Sequence, residues 1–177
     1  SRRDAKEWLD INRQHNVSAQ GGIHDSGSNR VVHWKKPPES WIKSNVDGDF
    51  MSNAVRSKAG WVIHDHYGKY HGGIQAVGKV VKNPFESEMH AILMVIQHAW
   101  SRGYQKVCIE SDSKKAVDIM NGNILHFDAY YWKSEIQWWK NQFKDLKFHW
   151  INREGNKVAD KLVKQQIKEN VSFKFHF

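Results

Sequence analysis

From Trp41 onward, apolar and polar positions first alternate in short runs and then recur at helical spacing, and the change of period marks out the elements. Residues 41–47 read as a strand ending at Asp47-Gly48. Residues 60–65 and 69–77 read as two strands joined by a turn around Tyr67 and Gly68, an antiparallel hairpin. The spacing then predicts a long helix over 85–102, with Met89, Ile92, Leu93, Ile96 and Trp100 as its apolar stripe. Asn83 stands as its N-cap, Pro84 at the first helical position and Glu86 at the third, a capping-box arrangement. A strand over 106–110, a short helix over 114–121, a longer helix over 129–143, an alternating strand over 146–151 and a closing helix over 157–168 follow. This order predicts an α/β fold: a mixed five-stranded sheet, its first three strands antiparallel, flanked by helices.

Residues 1–40 differ in composition and form a connector, partly flexible. Residues 5–11 suit a short helix, 20–29 (QGGIHDSGSN) suit a linker with too little apolar surface to fold alone, and the two prolines of WKKPPESW lead the chain onward in extended form. The domain is expected over 41–170, followed by a tail at 171–177. For its SFKFHF sequence an edge strand, a packing segment and a frayed end all remain open. Ser1 in place of a start methionine points to a piece of a longer protein.

Charge narrows the function. Lys+Arg of 27 against Asp+Glu of 19 leaves a net +8, with a pI near 9.5, a balance that favours a polyanionic partner. A merely soluble basic surface is the plain alternative. Cys108 is the only cysteine, which excludes a disulfide framework or a cysteine zinc site within one chain, and no disulfide-linked partner is expected. No run approaches the roughly 20 apolar residues needed to cross a bilayer, and no signal-peptide pattern opens the chain. A monomeric domain at a nuclear or cytoplasmic address is the expectation.

Within this basic chain four acids stand out: Asp47 in NVDGD, Glu88 in ESEMHAIL, Asp112 in CIESDS and Asp160 in REGNKVADKL. Each has an ordinary explanation: an Asp-Gly turn, a solvated helix edge, an N-cap and a favourable helix-dipole position. Two, however, fall where an apolar strand gives out and two on predicted helices, which is how a fold gathers distant carboxylates into one cluster. Such a cluster repels itself unless cations fill it. Oxygen-rich, thiolate-free sites suit Mg²⁺ or Mn²⁺, and an acidic metal site in a basic protein points to phosphodiester chemistry.

The order and spacing of WIKSNVDGD, AGWVIHDHYGKY, NPFESEMHAIL, VCIESDSKKAV and INREGNKVADKL resemble a type 1 ribonuclease H domain over about residues 38 to 170, of the kind found in plant genomes and non-LTR retroelements. The resemblance implies cleavage of the RNA strand of RNA–DNA hybrids, leaving 5′-phosphate and 3′-hydroxyl ends, by a two-metal mechanism. Asp47 would bridge both Mg²⁺ ions, Glu88 and Asp112 would complete one side and Asp160 the other. Gly48 and Ser113 occupy positions where the family contacts the 2′-hydroxyl, and Ser113 suits a helix cap equally well. In YYWKSEIQWWK, Trp132, Lys133, Trp139 and Lys140 are candidates for a platform along the DNA strand, or for an apolar helix face. Arg56 and Lys58, in the loop expected after Asp47, are further phosphate-contact candidates. The histidine many relatives carry before the last helix is replaced by NREGN, where Arg153 or Glu154 would partly fill its role, and the approach to Glu88 carries Pro84 and Phe85. A non-catalytic nucleic-acid-binding module derived from a retroelement is the alternative from another class. A nuclease acting on double-stranded RNA or branched DNA is a third reading.

Overall fold

The structure, a computed structural model, describes residues 34–168 and 170–177; the helix and linker expected at 5–11 and 20–29 lie outside the described residues. The strands are β1 (Ile42–Asp49), β2 (Arg56–His64), β3 (Tyr70–Val80), β4 (Lys106–Ser111), β5 (Asp145–Trp150) and β6 (Phe173–His176). The helices are α1 (Pro84–Ser101), α2 (Lys114–Met120), α3 (Tyr130–Lys140) and α4 (Lys157–Lys164). They form one mixed sheet of order β5-β4-β1-β2-β3-β6. The β1–β2 and β2–β3 pairs are antiparallel, whereas β4 joins β1, and β5 joins β4, in parallel.

The sheet has six strands, not five. Residues 173–176 pair antiparallel with Gly73–Ala76 of β3, covering backbone groups that would otherwise form an open edge. Tyr70 Oη donates to the His176 carbonyl at 2.9 Å, and the His176 ring meets Gln75 Oε1 at 3.0 Å. Four residues make too short a run for periodicity to reveal, and the pairing partner lies about a hundred residues away.

Other boundaries shift for local reasons. The β2 strand begins at Arg56, so Arg56 and Lys58 sit on a strand rather than in a loop, pairing with Val80 and Val77 across an irregular step. The α1 helix starts as expected, with Asn83 Oδ1 accepting from the Glu86 N–H at 2.9 Å; Glu86 Oε2 in turn accepts from the Lys82 N–H at 2.9 Å. Trp100, placed by sequence on the apolar stripe, is half exposed and meets Trp139 edge-on. The α4 helix stops at Lys164, and the Gln165 carbonyl, released from helical bonding, accepts from Gln75 Nε2 at 2.9 Å.

The core lies between the sheet and α1, α2 and α3, where Trp61, Met89, Ile92, Ile96, Ile109 and Ile136 are fully buried. Each such side chain contributes about 1.5–3 kcal/mol by leaving water. The opposite face of β1, β2 and β3 receives the shorter α4 through Leu162 and Val163. That second face carries the polar chemistry.

Candidate active site

Asp47 lies near the C-terminal end of the central strand, and Asp112 directly follows the parallel neighbour β4, so adjacent strand ends bring two acids side by side. Carboxyl ends of parallel strands are where open α/β sheets place their sites. A Cβ on Gly48 would stand 2.7 Å from the Ser87 carbonyl, so only glycine lets α1 pack this closely on β1. This contact delivers Glu88, whose Oε2 accepts from the Gly48 N–H at 3.3 Å. Gly60, opposite Asp47 on β2, plays the same part for α4, since a Cβ there would lie 2.8 Å from Val163 N. One helical turn earlier, Asp160 then borders the site.

Asp47, Glu88 and Asp112 offer carboxylate oxygens that all lie within 4.8 Å of one another. Asp160 stands outside this trio, with one oxygen held by Lys164 one turn on, yet its charge is felt by both Asp47 and Asp112. Burial, then the charges of Asp112 and Asp160, push the Asp47 carboxyl up to about 7. Burial, then Asp47 and Asp112, push Glu88 up to about 9. Burial also raises Asp112, against the nearby Arg153 guanidinium. Acids crowded this way either retain protons or share cations, and an all-carboxylate donor set matches a hard divalent ion.

The remaining sequence candidates scatter. Ser113 caps α2, its Oγ accepting from the Ala116 N–H at 3.4 Å. Lys58 faces Asp49 across the β1–β2 ladder, and Arg56 Nε donates to the Gly78 carbonyl at 2.8 Å. Trp132 is 7 % exposed and packs against His90, so it belongs to the core and offers no face to a nucleic-acid strand. Trp139 is partly buried against the core, while Lys133 and Lys140 reach the surface, Lys140 lying over the Phe148 ring. Arg153 is almost fully exposed with its Nε 3.8 Å from Asp112, whereas Glu154 pairs with Lys157.

Lys164 was not singled out from the sequence, although its place one turn after Asp160 on an i,i+4 helix face is a readable signal. A second group, Cys108, Glu110 and His149, also converges within 4.8 Å. It lacks a thiolate: burial and the Glu110 charge push the Cys108 thiol up to about 12, and Lys43 pairs with Glu110. His149 contacts Cys108 at 3.2 Å, on the strand rather than in the loop before α4.

The model of the reverse transcriptase-like family matches residues 45–166. An Arabidopsis thaliana protein named "Putative ribonuclease H protein" is 25 % identical over 95 % of this chain, which spans 27 % of that relative's length. Among solved structures, ribonuclease H1 of Halobacterium salinarum superposes with a TM-score of 0.64 at 18 % identity, over 69 % of this chain and 93 % of that one. The LC11 ribonuclease H1 bound to an RNA/DNA hybrid superposes at 0.61 with 23 % identity, over 69 % and 93 %. The chain belongs to the reverse transcriptase-like family, and its fold is that of a type 1 ribonuclease H domain.

Proposed function

We propose that this domain hydrolyses the RNA strand of RNA–DNA hybrids endonucleolytically and without sequence preference, with Asp47, Glu88, Asp112 and Asp160 holding two Mg²⁺ ions for which Mn²⁺ can substitute. The observation that carries this reading is the convergence of the Asp47, Glu88 and Asp112 oxygens within 4.8 Å, beside Asp160, in a chain of net charge +8. The LC11 enzyme's complex with an RNA/DNA hybrid supports the substrate class. When bound, the ions supply activation of the attacking water and neutralise charge on the leaving oxygen.

The chain's own residues do the rest. Asp47, which belongs to the trio and also feels the Asp160 charge, would serve both ions; Glu88 and Asp112 would complete one side and Asp160 the other. Lys164 must yield Asp160, and their pairing at an exposed surface is cheap to break. The Gly48 backbone and the Ser113 hydroxyl are the short polar groups beside the carboxylates through which a 2′-hydroxyl is told from hydrogen. Arg56, Lys58, Lys133 and Lys140 meet phosphates, which position the duplex and carry no sequence information. Arg153, next to Asp112 and open to solvent, takes the auxiliary place that a histidine holds in many relatives.

Labelled hybrid, all-RNA and all-DNA duplexes, each incubated with Mg²⁺, Mn²⁺ or EDTA, test the reading. Cutting of the hybrid's RNA strand alone, abolished by EDTA and by Asp47→Asn or Asp112→Asn while binding persists, is the expected result. Hybrid binding without cutting supports the non-catalytic module, and cutting of all-RNA or all-DNA duplexes supports a nuclease of different substrate.

A further inference from the structure

One residue row behind the carboxylates, on the same face of the sheet, lies a buried polar network that the proposed chemistry does not use. Asn45 precedes Asp47 by two residues on β1, and Glu110 precedes Asp112 by two at the end of β4; the β1–β4 register sets Asn45 opposite Glu110. Asn45 Nδ2 donates to Glu110 Oε2 at 3.0 Å and to Asn156 Oδ1 at 3.4 Å. Asn156, one turn before Asp160, uses its own Nδ2 to donate to the Val46 carbonyl at 2.9 Å. The Lys43 ammonium closes the network on Glu110. These four residues are at most 7 % exposed.

The connector ahead of the domain completes it. Trp34 Nε1 donates to Asn45 Oδ1 at 2.9 Å, and Lys43 Nζ donates to the Lys35 carbonyl while lying 5.3 Å from the centre of the Trp34 ring. Every donor and acceptor of the Asn45 amide is thus engaged, its oxygen by Trp34 and its nitrogen by Glu110 and Asn156.

Buried polar groups are costly unless fully bonded, and replacing them with apolar side chains often leaves stability unchanged, so their value here lies in what they hold in register. What they hold are the three elements carrying Asp47, Asp112 and Asp160. Backbone ladder bonds join β1 to β4, whereas Asn156, at the start of α4, is hydrogen-bonded to β1 at Asn45 and at the Val46 carbonyl and is linked to β4 through the Asn45–Glu110 bond.

We propose that Lys43, Asn45, Glu110 and Asn156 are positioning residues for the metal-binding carboxylates, and that Trp34, outside the regular fold, is part of the same scaffold. The proposal rests on the reading of the site as a divalent-cation site. Groups that orient metal ligands from behind typically change metal affinity by about 10- to 100-fold when removed.

The test uses the full chain and Mn²⁺ alone, its affinity read by electron paramagnetic resonance without nucleic acid. Trp34→Phe keeps an aromatic ring and deletes the N–H; Asn156→Ser shortens the tie to α4. Both should retain cooperative unfolding in EDTA, weaken Mn²⁺ binding by roughly 10-fold, and lower kcat on hybrid with little change in KM. Ile136→Val, destabilised in the core far from the network, should bind Mn²⁺ as the wild type does. Mn²⁺ affinity unchanged in both network variants, or reduced equally in Ile136→Val, overturns the proposal. A wild-type chain that binds Mn²⁺ but leaves the hybrid intact overturns the nuclease reading alone, and one that binds no Mn²⁺ overturns both.

Discussion

Replacing Glu88 with glutamine should make the metal-free protein more stable while removing its response to divalent cations. Glu88 is held where it ionises only near 9, against an ordinary value of 4.5, because it is buried beside Asp47 and Asp112. A carboxyl raised in the folded state binds a proton that the unfolded chain releases, so stability falls as pH climbs from 4.5 toward 9. At pH 8 that loss has a ceiling of about 5 kcal/mol, and because the proton is shared with Asp47, about 2 kcal/mol is assigned to Glu88. Glutamine keeps an oxygen for the Gly48 N–H and a donor for Asp47, so the substitution removes charge and leaves the shape intact. Thermal unfolding in EDTA at pH 8 should show Tm raised by roughly 4–8 °C, shrinking to a gain of under about 1 kcal/mol at pH 5. Saturating Mg²⁺ should raise Tm in the wild type and hardly move it in the variant. A Tm difference that is absent, or that does not grow between pH 5 and pH 8, refutes the claim that burial beside Asp47 and Asp112 holds Glu88 protonated in the metal-free site.

Three further outcomes follow from the same structure. Gly48→Ala places a methyl 2.7 Å from the Ser87 carbonyl and pushes α1 off β1; a cost of about 1–3 kcal/mol in urea unfolding and roughly 100-fold in hybrid turnover is expected. His64 and His90 are held down to about 4, chiefly by burial, so the unfolded chain takes up their protons first and their contribution to stability should fall as pH drops from 6.5 toward 4, opposite in sign to that of Glu88 and Asp47. The loss is at most about 3 kcal/mol for each histidine, read as urea midpoints across that range, and His90→Gln should flatten part of the slope. Trp132→Ala should destabilise by about 3–5 kcal/mol yet leave the folded protein's affinity for hybrid unchanged, whereas Lys133→Ala and Lys140→Ala together should weaken binding and reduce its salt dependence.

Local chemistry was legible in the residues themselves. Alternation and helical spacing are properties of consecutive positions, so β1, the hairpin, α1 and α4 could be located before any contact was known. The Asn83-Pro84-Phe85-Glu86 start of α1 and the turn at Gly68, which adopts φ +80°, are likewise decided within a few residues. The four acids were recognisable from their places at strand ends and on helix borders. What the chain order could not carry is anything that depends on two distant segments meeting. The β6 strand exists because β3 has an edge to cover, and Trp132 is core because α3 turns that side toward His90. Asp160 is drawn to Lys164 rather than into the trio; Asn45 and Glu110 join because parallel pairing of β1 with β4 sets them opposite each other, and Asn156 joins them because α4 packs its first turn against β1. Periodicity specifies which face of an element is apolar; the sheet order and close approaches at Gly48 and Gly60 decide which faces confront each other, and the charge of the site arises from that confrontation.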